Sequence, residues 1–185
     1  MMLNKSVLNL PNQLTILRII IIPFFLIFLY MDTPLTNIIA TALFVVASIT
    51  DYVDGYLARK YEIVTDFGKI IDPIADKILT ASSMIVLVEL GRLDGWIVVL
   101  MLARDFIIGG LRNFAASKGV VIAAGFSGKL KTVLQMIGIG CLIYKNPLLG
   151  LDTFVIGTIV IYVALIVSIY SCVIYYVEYF KANNL

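Results

Sequence analysis

The chain contains no histidine, and only 14% of its 185 residues are charged. Without imidazole, acid–base work falls to carboxylates, and any metal held by oxygen alone must be a hard one. Charge of one sign is missing too. Fourteen Lys and Arg stand against twelve Asp and Glu, and the net +2 leaves no footprint for nucleic acid. The two cysteines, Cys141 and Cys172, lie inside apolar segments, which argues against a disulfide and says little about redox compartment. The first 18 residues show no signal-peptide cleavage pattern and pass straight into an apolar segment. There is no internal repeat, low-complexity tract or long linker, so residues 1–185 are expected to form a single domain. What the chain has in quantity is apolar surface. It is 61% hydrophobic with a mean hydropathy of +1.02, too apolar for a soluble domain.

The hydropathy predicts an all-α integral membrane protein with six transmembrane helices. The expected spans run from Leu14 to Met31, Leu35 to Leu57, Asp66 to Leu90, Trp96 to Ala116, Leu130 to Tyr144 and Thr153 to Phe180. Pro23 and Pro73 are expected to distort the first and third spans. Met1 to Leu10 is mildly amphipathic and is expected to form a short amino-terminal interfacial helix. Lys5, Arg59, Lys60, Lys118, Lys129, Lys131 and Lys181 fall on one side, and only Arg92 and Lys145 clearly on the other. By the positive-inside rule, both termini then face the cytosol.

Against this background stand four carboxylates: Asp51-x2-Asp54-Gly55-x2-Ala58-Arg59, eight residues, then Gly68-x3-Asp72-x3-Asp76. A charge inside a membrane segment costs a few kcal/mol or more, so each one marks a candidate site. Helix periodicity puts Asp51, Asp54, Gly55 and Ala58 on one stripe, and Gly68, Asp72 and Asp76 on a second. The polar turn from Arg59 to Thr65 makes the two helices antiparallel. Asp54 then faces Asp72, and Asp51 faces Asp76. The small residues allow close approach or leave room for a ligand. Four facing carboxylates repel, and no Lys or Arg sits on either stripe to offset them. Divalent cations would, and oxygen-only ligands point to Mg²⁺ or Mn²⁺. Two such ions suit displacement at phosphorus. Asp51 lies nine residues before Lys60, roughly 13 Å into the cytosolic leaflet. A lipid could reach that depth sideways and a soluble substrate from the cytosol.

The spacing D-x2-D-G-x2-A-R-x8-G-x3-D-x3-D resembles the signature of the CDP-alcohol phosphotransferase family, with every fixed position present. The resemblance implies Asp51, Asp54 and Asp72 as metal ligands, with Asp76 touching one metal and serving as general base. It also implies Gly55, Ala58, Arg59 and Thr65 as contacts to the CDP moiety of a CDP-diacylglycerol donor. Without the motif Arg59 would read as a snorkelling helix-end residue, and with it as a ligand; Thr65 reads equally as a helix cap and as part of a phosphate site. Pro11-Asn12-x2-Thr15-x2-Arg18 resembles the family's amino-terminal pattern and adds Asn12 and Thr15, whose other reading is capping.

Ala103-Arg104-Asp105-Phe106, Gly110-Leu111-Arg112 and Gly128-Lys129-x-Lys131-Thr132 resemble the phosphatidylglycerophosphate-forming branch of that family, which often has Glu where Asp105 stands. Arg104, Arg112, Lys129 and Lys131 are the candidates for holding an acceptor phosphate. Positive-inside topology is the competing account of them, and it suffices for Lys118 and Lys181. Arg104 can pair with Asp105, whereas Arg112, Lys129 and Lys131 have no evident partner in sequence.

The implied activity transfers the phosphatidyl group from CDP-diacylglycerol to sn-glycerol 3-phosphate, releasing CMP, at the cytosolic face of the cell membrane. The resemblance also implies a homodimer. The alternatives are another acceptor (phosphatidylglycerol, inositol phosphate or serine) and, from a different class, a small cation transporter. The inverted repeats and broken helices of a transporter are not evident.

Overall fold

The computed structural model describes the backbone at residues 10–60, 66–118, 125–148 and 150–182. Side chains at 10, 11, 51–60, 66, 67, 69, 70, 73, 116 and 178–182 lie outside the description. The expected interfacial helix over Met1 to Leu10 and the turn to Thr65 therefore fall almost wholly outside the described residues.

The described residues form six helices: α1 (Leu10–Tyr30), α2 (Pro34–Lys60), α3 (Asp66–Glu89), α4 (Gly95–Ser117), α5 (Phe126–Tyr144) and α6 (Thr153–Ala182). Each corresponds to one expected span. Pro11 stands in the first turn of α1, where its missing N–H goes unneeded. Helical backbone continues through both Pro23 and Pro73. Two helices begin four residues early: α1 at Leu10 rather than Leu14, and α5 at Phe126 rather than Leu130. Lys129 and Lys131 thus sit within the first two turns of α5 rather than at its mouth.

Short-range polar contacts set the ends. Asp32, in a left-handed conformation (φ 45°), turns the chain after α1. The Thr33 amide donates to Thr36 Oγ1 at 3.0 Å and the Thr36 amide returns the bond to Thr33 Oγ1 at 3.2 Å, a reciprocal cap for α2. Asp152 caps α6 by accepting from the amides of Phe154 and Val155. Gly91 (φ 66°) releases the chain after α3.

Three helices are long and apolar enough to cross a membrane by length and composition: Asn12–Tyr30, Phe126–Tyr144 and Thr153–Val177. In α2 the apolar stretch Pro34–Thr50 leads into the carboxylate stripe that starts at Asp51. Helices α3 and α4 are diluted by charges that the functional reading requires: Asp72 and Asp76 in one, Arg104, Asp105 and Arg112 in the other. The outward face of α6 carries Val155, Ile159, Ile166, Tyr170 and Val173 exposed, an apolar surface that suits lipid rather than water.

The helices fall into two compact units. One contains α1, α2 and α3 with Ile143–Asn146; the other contains α4, α5 to Leu142, and α6. In the first, α1 packs along both α2 and α3, and among the described residues α2 and α3 meet each other over a smaller area. Phe25 and Phe44 stack at 5.9 Å between α1 and α2, beside fully buried Leu29, Ala40 and Ala47. Close packing of small residues is the expected driving force where lipid replaces water. In the second unit α5 and α6 approach closely at two glycines. A Cβ on Gly138 would lie 2.7 Å from Ile161 Cγ1, and one on Gly157 3.0 Å from Cys141 Cβ. The buried Arg92 donates from Nη1 to the Leu142 carbonyl at 3.0 Å, capping the last turn of α5 with a cation.

Candidate active site

The first unit assembles the carboxylate helices around α1. Asp51, Asp54, Gly55, Ala58 and Arg59 occupy the last turns of α2, with their side chains outside the description, as is all of Thr65. Asp72 and Asp76 stand one turn apart on α3, both half-buried, with Gly68 buried a turn earlier. Asn12, Thr15 and Arg18, three residues apart on α1, form a buried polar stripe on an otherwise apolar helix. The Thr15 hydroxyl donates to Asp72 Oδ1 at 2.6 Å. Arg18 is fully buried, and its Nε donates to the Ala47 carbonyl of α2 at 3.1 Å, one turn before Asp51.

Arg18 adds a cation from a third helix. The two carboxylate stripes carry no Lys or Arg of their own, but α1 brings a buried guanidinium against the same end of α2. Only its place in the motif Pro11-Asn12-x2-Thr15-x2-Arg18 signalled it.

The second unit assembles the basic residues. Lys131 Nζ donates to both oxygens of Asp105 at 2.7 Å. Arg104 Nη1 donates to Asp105 Oδ1 at 3.0 Å, Nη2 to Ser171 Oγ at 2.8 Å, and Nε to the Ser168 carbonyl at 3.3 Å. One carboxylate on α4 thus gathers a cation from its own helix and one from α5, and the whole is tied to α6. The trio has one net positive charge. Tyr175 of α6 accepts from the Gly125 amide at 3.2 Å, fixing the start of α5.

Here the structure departs from the sequence reading of Lys131 as a cation without an evident partner, since Asp105 grips it from 26 residues away. Lys129 and Arg112 are exposed. Two residues along a helix is about 200° of rotation, so Lys129 points away from the side that buries Lys131. Eight residues leave about 80°, enough to carry Arg112 off the face on which Arg104 meets α6.

Among the described residues no group of three or more His, Cys, Asp or Glu side chains is poised to hold a metal. Asp72 and Asp76 are the two described carboxylates of the cluster, and their chemistry fits a hard cation. The donors are all oxygen, they share one helix face, and a hydroxyl orients one of them.

A family model described as CDP-alcohol phosphatidyltransferase matches residues 8–170, most of the chain and helices of both units. The chain belongs to that family. Members are transferases, and so is this protein. It is 42% identical over 175 residues to the CDP-diacylglycerol–glycerol-3-phosphate 3-phosphatidyltransferase of Rickettsia typhi, covering 94% of this chain and 96% of the relative. It is 36% identical over 187 residues to the protein of that name from Bacillus subtilis, covering 95% of each. The Haemophilus influenzae protein of that name is 37% identical over 173 residues, covering 90% of this chain and 91% of the relative. These matches take in α1 through most of α6. The polar stripe of α1 and the Arg104–Asp105–Lys131 trio therefore both lie within the family's common region.

Proposed function

We propose that this membrane transferase moves the phosphatidyl group from CDP-diacylglycerol to sn-glycerol 3-phosphate, giving phosphatidylglycerophosphate and CMP. One observation carries the reading: relatives bearing that activity in their names align with nearly the whole chain at 36–42% identity. The complete eight-position carboxylate signature on α2 and α3 supports it.

In this reading Asp51, Asp54, Asp72 and Asp76 hold two Mg²⁺ or Mn²⁺ ions, which when bound neutralise the diphosphate and offset charge on the departing CMP. Arg59 and Thr65, with Gly55, Ala58 and Asn12, receive the CDP moiety. Asp76 takes the proton of the acceptor hydroxyl. The acceptor oxygen bonds to the β-phosphorus that bears diacylglycerol, the bond from that phosphorus to the bridging oxygen breaks, and CMP leaves with the electron pair. The acceptor phosphate falls to Arg104, Arg112, Lys129 and Lys131. The salt bridges of Arg104 and Lys131 to Asp105 give those two a positioned charge, and Arg112 and Lys129 offer theirs from exposed positions.

All six helices span the membrane in this reading, and residues 1–185 act as one domain that begins with the interfacial helix. The termini and the site face the cytosol, as the Lys and Arg distribution favours, and the family resemblance favours a homodimer. The deciding experiment is CMP release by purified protein given CDP-diacylglycerol, Mg²⁺ and a panel of acceptors. Glycerol 3-phosphate should be preferred over inositol phosphate, serine and phosphatidylglycerol; preference for any of those three would withdraw the acceptor and leave the chemistry. Asp76→Asn should lower turnover by roughly 10²–10⁴-fold at saturating Mg²⁺, and near-normal turnover would remove its role as base.

A further inference from the structure

The sequence pattern groups Thr15 with the residues that touch the nucleotide, but the geometry points elsewhere. Its hydroxyl is 1% exposed and donates at 2.6 Å to Asp72 Oδ1, 57 residues away on a different helix. A hydroxyl–carboxylate bond of that length is in the strong, charge-assisted range. We infer that Thr15 is a positioning residue for the metal site, which orients the Asp72 carboxylate. The inference rests on the reading of Asp72 as a metal ligand given above.

The physical case is one of orientation. An aspartate side chain turns about two bonds, and a bond from a buried donor to one oxygen selects a single setting of both. Groups of this kind behind a metal ligand hold it in its binding orientation before the ion arrives. The donor must itself be rigid to do this, and Thr15 is. It sits mid-turn on α1 between buried Asn12 and Arg18, and Arg18 fastens α1 to the Ala47 carbonyl of α2 at 3.1 Å. In an α-helix that carbonyl belongs with the amide of residue 51. The stripe on α1 therefore reaches Asp72 on α3 through a side chain, and the turn leading into Asp51 on α2 through its backbone. Helix α1 thus joins the two elements that carry the four carboxylates.

The test is Mn²⁺ binding by the full-length protein in detergent, without substrate, with free Mn²⁺ read by electron paramagnetic resonance. Thr15→Val keeps the shape and removes the donor; it should weaken Mn²⁺ binding about 10- to 100-fold, the range for loss of a partner behind a metal ligand. Thr15→Ser restores a hydroxyl and should bind close to the parent. Unchanged Mn²⁺ affinity in Thr15→Val would overturn the inference. If that came with a raised KM for CDP-diacylglycerol, Thr15 would be a nucleotide contact. If it came with a lowered melting temperature alone, Thr15 would be a packing residue. Asp72→Asn separates the two levels. If it binds Mn²⁺ like the parent, the metal reading of Asp72 fails and takes the inference with it. If it loses binding while Thr15→Val does not, only the inference fails.

Discussion

Lys131 and Asp105 offer the sharpest test of how the second unit holds together. The Lys131 side chain is 3% exposed and Asp105 22%, and both carboxylate oxygens accept from Nζ at 2.7 Å. Lys131→Met keeps the length and removes the charge. Asp105 then retains Arg104 at 3.0 Å, so the carboxylate is not wholly orphaned. Breaking a fully buried pair costs about 3–5 kcal/mol. With partial exposure and a surviving partner, the loss of charge-assisted bonds sets the scale instead, about 1.5–3 kcal/mol. At about 2–4 °C per kcal/mol for a chain of this size, melting should fall by about 3–12 °C. Asp105→Asn should cost a similar amount, by replacing the ionised partner of the buried Lys131 ammonium with a neutral amide. The double variant removes both charges, and Arg104 keeps Ser168 and Ser171. Its loss should fall short of the sum of the two single losses by a coupling energy of about 1–3 kcal/mol. The assay is thermal unfolding in one detergent, followed by loss of monodispersity or by intrinsic fluorescence of Trp96. Additive losses in the double variant would refute the reasoning, because they would mean that the two charges do not sense each other.

Three further outcomes follow from the same geometry and topology. Lys129→Ala and Arg112→Ala, exposed and outside the trio, should raise the KM for glycerol 3-phosphate about tenfold or more with little change for CDP-diacylglycerol, and Arg59→Ala should do the reverse; equal effects on both substrates in steady-state kinetics would sink the two-site picture. Gly138→Ala drives a methyl to 2.7 Å from Ile161 Cγ1 and 3.2 Å from its amide nitrogen, so it should destabilise by about 1–3 kcal/mol in a thermal melt; an unchanged melt would mean that α5 and α6 separate easily. In a background lacking Cys141 and Cys172, Thr33→Cys should label from outside intact cells and Glu62→Cys only from inside, and the opposite pattern would invert the topology.

The placement of Asp72 and Asp76 on one face of α3 was legible in the sequence because its information is local. Within one helix, rotation of about 100° per residue decides which positions share a face, so Asp72 and Asp76 could be placed on one stripe without any structure. Hydropathy likewise outlined six helices, with errors of a few residues where charge or glycine thins the apolar signal, as at the start of α5. Periodicity is silent on which face of a different helix a stripe will meet. That α1 would place Thr15 on Asp72, that Arg18 would be buried against the end of α2, and that Lys131 would find Asp105 while Lys129 points outward were decided by tertiary packing. Those contacts join residues 26 to 57 positions apart. Each exists because a buried polar group between apolar helices must find a partner, and only the assembled bundle determines which partner is within reach.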